Sequence, residues 1–227
     1  METPRARVTL ALSLYHEGLE KSGKAKDSLR KASDFLSELQ VETYSSMERR
    51  EKTEFILEQM RLLIAVARQK DAEVEKKDGK DLGGGEAEWV KVRVGGRKVN
   101  EEFLKEKDNE VRKATLCLQL WLISHNQDLK LKFYDLMIQH ALHNDSYLDA
   151  AKYYEKVWQT PSIKEDVNGK GRTVSTGDAA PWNTVEYNPQ ALEHIIYYIV
   201  LAPHTNEQSD MLHHIYNDLA LLKLDLH

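Results

Sequence analysis

The chain has 227 residues, of which 41% are hydrophobic, 30% are charged and 8% are aromatic, and its net charge is −5. A chain of this length and composition can bury a substantial core, which excludes a generically disordered protein. Lysine and arginine are mixed with glutamate and aspartate along the same segments, so nucleic acid is not expected as the main partner.

The cysteine content and the apolar runs predict the compartment. Cys117 is the single cysteine, so the chain forms no internal disulfide and fits a reducing environment. The first residues, METPRARVTL, lack the apolar core of a secretory signal. The longest apolar runs, Leu116–Ile123 and Ile195–Ala202, are much shorter than the roughly 20 residues of a membrane span. We therefore expect a soluble cytoplasmic or nuclear protein with no membrane partner.

The first 40 residues predict a pair of helices. Apolar residues recur at helical spacing from Arg5 to Leu19, and Pro4 stands where a helix can begin. Gly23 interrupts the pattern, which resumes from Ala25 to Leu39. The two segments are expected to form an antiparallel pair joined by a short turn. The apolar positions of the first segment are Val8, Leu10, Ala11, Leu12, Leu14, Tyr15 and Leu19.

A third helix is predicted after Ser45 or Ser46, either of which suits an N-cap. One face of this helix is apolar, apart from one glutamine, and consists of Phe55, Ile56, Gln59, Met60, Leu63, Ile64 and Ala67. The other face is charged and is expected to be solvated; it consists of Glu48, Arg49, Glu51, Lys52, Glu54, Glu58 and Arg61.

The next 30 residues are less regular. Residues 71–88 are charged and rich in glycine, and they predict a flexible surface insertion. The alternation of Val90, Val92 and Val94 suits a strand, and Gly95–Gly96 could then form a hairpin turn. Because no second alternating run follows, a helix weakened by two glycines is the favoured interpretation.

The second half of the chain predicts four more helical segments, although residues 105–127 fit no simple pattern. Strong helical spacing begins at Leu129 and is followed by a turn at 144–146. The next helix spans Tyr147 to Trp158 and ends before Pro161. After an irregular stretch, one helix runs from Pro189 to Pro203, and the last begins with Thr205 or Asn206 as its cap.

These seven or eight helices fall mostly into adjacent pairs that recur every 35–45 residues or so, as in helical-repeat proteins. We predict an all-α fold, a right-handed α-solenoid of TPR-like antiparallel helix pairs with two long irregular loops. The predicted segments are N-terminal helix pairs over 1–70, the insertion over 71–88, middle helix pairs over 89–163, an irregular loop over 164–188 and a C-terminal helix pair over 189–227.

The sequence lacks the common phosphate, metal and nucleophile motifs. No Gly-Lys-Ser/Thr follows the glycines of LGGGEAEWVK, and Glu88 stands where a dinucleotide motif has its third glycine. There is no His-Glu-x-x-His and no cysteine pair, and adjacent histidines such as His213 and His214 point about 100° apart on a helix. Cys117 lies in an apolar setting that favours a buried, inert thiol, and His194 and His204 are expected to be structural or on the surface.

No catalytic, cofactor-binding or metal-binding residue is therefore predicted, and neither a cofactor nor a small-molecule substrate is expected. A further set of side chains at helical spacing is more consistent with packing between helices than with base stacking: Tyr147, Tyr153, Tyr154 and Trp158. On physical grounds the sequence favours an interaction scaffold over an enzyme.

Four collinear segments closely resemble the family of the non-ATPase regulatory subunit 12 of the 26S proteasome lid. They are LQVETYSSMERREKTEFILEQMRLLIA at Leu39–Ala65, DLKLKFYDLMIQH at Asp128–His140, SYLDAAKYYEKVWQTPSI at Ser146–Ile163 and YYIVLAPHTNEQSDMLHHI at Tyr197–Ile215. A weaker match is RARVTLALSLYHEG at Arg5–Gly18. A signalosome subunit is a related family, but NEQSDMLHHI and TPSI favour the proteasome version.

The resemblance implies an α-solenoid arm that, in the family, leads into a C-terminal PCI module. It also implies a non-catalytic scaffold in ubiquitin-dependent degradation, whose partners are other lid subunits, including PCI subunits and the deubiquitinating subunit. The chain departs from the family because the PCI module is expected to be absent and because segments 71–88 and 111–127 are inserted. Two alternatives stay open, a stand-alone helical-repeat adaptor and an enzyme.

Overall fold

The computed structural model describes residues 2–23, 25, 27–76, 84–104, 116–160 and 190–217. Within these residues the chain contains helices and turns but no strand, which confirms the all-α prediction. The α-helices are α1 Glu2–Lys21, α2 Ser28–Ser37, α3 Arg49–Lys76, α4 Glu86–Lys98, α5 Leu116–His143, α6 Tyr147–Trp158, α7 Gln190–Leu201 and α8 Asn206–Tyr216. A short 3₁₀ helix, Val41–Thr43, lies between α2 and α3.

The chain divides into two compact units, Met1–Gln119 and Leu120–His227. In the first unit, contacts at the two ends of α1 and α2 define their direction. Arg5 near the start of α1 pairs with Glu38, which directly follows α2, at 3.1 Å. Glu20 near the end of α1 accepts a hydrogen bond from the backbone N–H of Leu29, in the first turn of α2. The two helices therefore run antiparallel, as predicted.

The same alternation continues into α3 and α4. Gln59 in the first half of α3 donates to the carbonyl of Leu39, just beyond the end of α2, at 3.0 Å. Glu73 near the end of α3 pairs with Arg30 near the start of α2 at 2.7 Å, so α2 and α3 also run antiparallel. Each helix of the first unit packs against the next one. Residues near the end of α3 contact the start of α4, so this pair is also antiparallel.

Helix α3 forms the core of the first unit because other helices cover it on two sides. The apolar face predicted from the sequence is buried, and three further residues, Leu57, Leu62 and Val66, are buried as well. Ala32 and Leu36 of α2 and Trp89 and Val92 of α4 supply the facing surfaces. Burial of this many apolar side chains supplies the main favourable free energy of the unit.

Two glycines allow α4 to approach α3 closely. A β-carbon on Gly85 would lie 2.6 Å from the backbone Cα and O of Ala67, and one on Gly95 would lie 2.8 Å from Cγ of Met60. The prediction of a helix rather than a hairpin at 89–98 is confirmed, and Gly95, one of the two glycines that weaken its propensity, also permits its packing.

Two local predictions in this region are wrong. Helix α3 begins at Arg49, so neither Ser45 nor Ser46 occupies its N-cap position; Ser46 instead bonds with the hydroxyl of Thr3 at 3.0 Å. Residues 71–76 belong to α3 and 86–88 to α4, so the predicted insertion 71–88 is helical at both ends. Its middle, residues 77–83, lies outside the described residues, as do residues 105–115.

The second unit has the same alternating arrangement of helices. The rings of Tyr147 and Tyr198 stack at 6.2 Å, and those of Tyr154 and His194 lie at 5.2 Å, so α6 and α7 are antiparallel. Lys152 of α6 pairs with Glu207 of α8 at 2.6 Å. Antiparallel pairs of consecutive helices are thus present in both units, while the right-handed, TPR-like arrangement stays a prediction.

The turns of the second unit follow the predicted positions. Asp145 adopts a left-handed conformation with φ of 54°, which reverses the chain between α5 and α6. Thr205, one of the two predicted cap residues, caps α8 by accepting a hydrogen bond from the N–H of Gln208 at 3.2 Å. Helix α5 starts earlier than its predicted start at Leu129. The predicted loop 164–188, Pro161 and residues 218–227 lie outside the described residues.

Candidate interaction surface

Four charged side chains meet between α1 and α3, and we call them the ion cluster: Glu17, Lys21, Glu58 and Arg61. Arg61 Nη1 and Nη2 donate to the two carboxylate oxygens of Glu17 at 2.9 and 2.6 Å, a bidentate geometry. Arg61 Nε donates to Glu58 at 3.0 Å, and Lys21 Nζ lies 2.8 Å from Glu17. The cluster contains two positive and two negative groups, so its charge is balanced.

Three members of the ion cluster are mostly buried and Lys21 is half-exposed; Glu17 is the most buried of them, at 5% exposed. Burial by itself raises the pKa of Glu17, but the hydrogen bonds from Arg61 and Lys21 outweigh it, so the pKa is lowered. Burial likewise opposes the charge of Arg61, yet its bonds to Glu58 and Glu17 raise the pKa of the guanidinium. Glu17 and Arg61 therefore stay charged at neutral pH and remain bonded to each other. The ion cluster thus links α1 to α3.

The expectation that Glu58 and Arg61 lie on a solvated face is wrong, because both side chains are mostly buried and Arg61 is bonded to Glu17 of α1. Sequence reasoning missed the cluster since Glu17 is an isolated charge within an apolar helical pattern. The available signal was its position four residues before Lys21 and four after Ser13, on the side of α1 that carries small and polar residues.

Helix α1 exposes an apolar stripe, defined here as Val8, Leu12 and Tyr15. These side chains are 67%, 39% and 63% exposed, although they belong to the pattern that predicts the helix. The buried residues of α1 are instead Ala6, Ser13 and Glu17. An exposed helix face of this kind is a candidate contact surface for another protein.

A second apolar surface, the α7 face, consists of Tyr197, Val200 and Leu201. The three side chains are more than half exposed and lie at i, i+3 and i+4, on one side of the helix. The opposite side of α7 is buried, with Ile195 and Ile199 fully covered. Helix α7 therefore has two apolar sides, of which only one packs within the unit.

Aromatic rings fill the space between α5, α6 and α7, as predicted for the tyrosines of 147–158. Tyr154 stacks on Tyr198 at 5.5 Å, and burial, followed by interaction with Tyr198, raises the pKa of Tyr154 to about 12. Tyr153 stacks on the buried Tyr134 of α5 at 6.2 Å, and Lys156 Nζ lies 5.4 Å from both ring centroids. These rings hold helices together, and Tyr154 is neutral at physiological pH.

The histidines considered as metal ligands do not converge. His194 packs among tyrosine rings, His214 lies 3.4 Å from Glu155, and His204 and His213 are exposed. Over the ranges that the structure describes, no three histidine, cysteine or carboxylate side chains are grouped to hold a metal ion. The side chain of Cys117 is outside the described part of the chain.

The family model described as PSMD12/CSN4, N-terminal, matches residues 1–166 of the chain. Among curated proteins, the chain is 32% identical over 225 residues to the 26S proteasome regulatory subunit RPN5 of Saccharomyces cerevisiae, covering 99% of this chain and 37% of that protein. It is 28% identical over 216 residues to the 26S proteasome non-ATPase regulatory subunit 12 of Dictyostelium discoideum, covering 95% of this chain and 34% of that protein.

A plant relative gives the same result: the chain is 27% identical over 235 residues to the 26S proteasome non-ATPase regulatory subunit 12 homolog A of Arabidopsis thaliana, covering 99% of the chain. The chain spans from 34% to 42% of the length of these curated relatives. Among the described helices, none is both long and apolar enough to cross a membrane.

Proposed function

The chain belongs to the family of the PSMD12/CSN4 N-terminal region, and from this premise we propose that it is a non-catalytic scaffold subunit of the 26S proteasome lid. The resemblance read from its collinear segments is confirmed by the match over residues 1–166. The proposed task is to hold other subunits in place during ubiquitin-dependent degradation through protein contacts alone.

The observation that carries this proposal is the similarity of nearly the whole chain to proteins named as 26S proteasome regulatory subunits. The fold supports it because each unit presents helices whose outward faces are apolar, the α1 stripe and the α7 face. Such faces suit contacts with other helices. The charged cluster of the first unit is fully paired internally, so it supports a structural role.

The proposed partners are neighbouring lid subunits, including those with PCI modules and the deubiquitinating subunit, and the proposed location is the cytoplasm and nucleus. No cofactor, nucleic acid, membrane or small-molecule substrate enters this proposal.

The test is co-purification from the native cells. The tagged chain is expressed at its natural level, recovered under gentle conditions, and the recovered proteins are quantified against intact 26S particles. Lid subunits in amounts equal to the chain support the proposal. Recovery of the chain without any proteasome subunit contradicts it.

The second candidate is a stand-alone helical-repeat adaptor. It is favoured by one observation, that both units expose apolar helix faces, the α1 stripe and the α7 face, which suit helical partners of any kind. The same purification distinguishes the two, because an adaptor is recovered with other proteins in fixed ratio while proteasome subunits are missing.

A further inference from the structure

Helix α1 is packed with its less apolar side inward. The three residues it buries are Ala6, Ser13 and Glu17, whereas the large side chains of the α1 stripe, such as Val8 and Tyr15, face solvent. On a helical wheel of 100° per residue, the centre of the stripe lies about 150° from the centre of the buried side. The hydrophobic effect alone favours the opposite orientation, so another interaction must outweigh it.

We propose that the bidentate Glu17–Arg61 ion pair selects which side of α1 is buried and thereby keeps the α1 stripe exposed. Arg61 is fixed on α3 beside Glu58, in the core helix of the unit. With α1 in its observed orientation, Arg61 gains both oxygens of Glu17. Rolling α1 about its axis to bury Val8 and Tyr15 would separate Glu17 from Arg61, which would keep its bond to Glu58 but lose both oxygens of Glu17.

The cost of that separation decides the orientation. Losing one partner of a buried ion pair is more unfavourable than losing a surface pair, because the remaining charge is less well compensated in a poorly solvated site. Here Arg61 would keep one carboxylate, Glu58, instead of two. In the rolled orientation the three side chains of the α1 stripe would be buried, and two of them, Val8 and Tyr15, are about two-thirds exposed in the observed orientation. The ion pair can thus determine the orientation without being a large source of net stability.

The other polar contacts of α1 are weaker candidates for this role. Arg5 and Arg7 pair with Glu38 and Glu51, but both arginines are more than 60% exposed, and exposed pairs contribute little. Glu20 bonds with Leu29 and with Gln69 near the end of the helix, where it fixes position along the axis more than rotation. Only Glu17 combines deep burial with a charged partner on α3.

The test introduces single cysteines on α1 and measures how fast each one is labelled. The labelling rates show which side of α1 is accessible to solvent. In a Cys117→Ala background, Val8→Cys reports the exposed side and Ser13→Cys reports the buried side. In the parent chain the Val8 site is expected to react at least about tenfold faster, since only local opening exposes the Ser13 site. The same two reporters are then compared in Arg61→Met, which removes the charge at similar volume.

In Arg61→Met the ratio of the two labelling rates is expected to fall to about one or to invert, because Glu17 is left buried without its main partner. Arg50→Met is the matched control, since Arg50 lies on the same helix and pairs with Glu54 of that helix. It should leave the ratio unchanged. A ratio that is unchanged in Arg61→Met with helix content retained overturns the proposal, as does equal labelling in the parent chain.

Should Arg61→Met lose its helix content, Glu17→Gln decides, because it removes the negative charge at similar volume and leaves Arg61 bonded to Glu58. A labelling ratio that falls towards one with helix content retained supports the proposal. A ratio equal to that of the parent chain overturns it.

Discussion

At the scale of single residues, the charge of Glu17 is the feature with the clearest consequences. A carboxylate that is 5% exposed and bonded to Arg61 and Lys21 is stabilised in its charged form by the fold. Because its pKa is lowered below the ordinary value of 4.5, the folded state binds the proton more weakly than the unfolded state. The stability from this group is present above the unfolded pKa and is lost as the pH falls through the folded pKa.

Glu17→Gln should therefore lower the free energy of unfolding by about 2 kcal/mol near neutral pH, because one buried charged partner is replaced by a neutral amide. The difference from the parent chain should shrink as the pH falls below 4.5 and Glu17 of the parent becomes protonated. Urea unfolding at a series of pH values measures this. A difference that stays constant down to about pH 2 would contradict the lowered pKa.

Glu51→Gln is the matched control for this measurement. The hydrogen bond from Arg7 also lowers the pKa of Glu51, but this pair lies at the surface. Its effect on unfolding should be smaller than that of Glu17→Gln and should decline on adding salt, which screens exposed charges far more than buried ones.

Residue-level prediction from the sequence succeeded where the cause is local. The cap at Thr205 depends on one side chain and the next turn of the helix, and Thr205 is one of the two residues that the sequence predicts for it. The predicted cap at Ser45 or Ser46 was wrong because both serines lie in the turn before α3, which starts at Arg49. Burial of Glu17 could not be predicted, since it depends on Arg61, 44 residues away.

At the scale of helices, the contact between α3 and α4 is set by glycines. Gly85→Ala should cost about 2 kcal/mol, because the new methyl group would meet the backbone of Ala67, which cannot move aside. Gly95→Ala should be nearly neutral, because the flexible side chain of Met60 can shift and helix propensity improves by about 1 kcal/mol. Thermal and urea unfolding of both variants measures the difference.

Gly18→Ala is the control for this pair. Nothing lies within 4 Å of the position of its β-carbon, so only the propensity gain of about 0.5–1 kcal/mol is expected. Equal stabilisation by all three substitutions would contradict the close approach of α4 to α3.

The start of α4 also depends on a side chain of α3. Asp71 accepts the N–H of Gly85 at 2.6 Å and the indole N–H of Trp89 at 3.1 Å. Asp71→Ala should lower stability by about 2 kcal/mol, because two donors lose a charged acceptor. Asp71→Asn should lose less, since one acceptor oxygen remains, and the exposed Asp34→Ala should change stability by under about 0.5 kcal/mol. Equal values for Asp71→Ala and Asp34→Ala would rule out this cap.

Helix existence was largely predictable because it follows from apolar spacing within the segment. The spacing predicted α3 and its core face, and the structure adds Leu57, Leu62 and Val66 to the buried set because α2 and α4 cover more of its surface. The end of α3 was misplaced. Residues 71–76 look like loop by composition, yet contacts such as Asp71 with Gly85 and Lys70 with Glu88 extend the helix.

At the scale of the whole chain, antiparallel pairing was predictable from short connections between helices. Which side of each helix faces outward was less predictable, because several helices are apolar on more than one side. Helix α1 shows the limit, since its apolar pattern predicts the helix correctly but includes Val8 and Tyr15, which are exposed. Within one unit, a polar contact between helices outweighs local hydrophobicity, and no local pattern records that contact.

The α7 face gives a prediction about assembly. Tyr197→Lys/Leu201→Lys should reduce co-purification of proteasome subunits at least about tenfold while leaving urea unfolding unchanged, because the side chains are exposed and contribute little to the unit itself.

Val90→Lys/Val94→Lys is the matched control, since it changes two exposed apolar residues at the same i, i+4 spacing on α4. The valines are smaller and form no patch with an exposed aromatic side chain, so this control should keep most of the binding. Equal recovery of proteasome subunits by both variants and the parent chain would exclude the α7 face from the interface, whereas equal loss would show that added positive charge, and not the α7 face, is responsible.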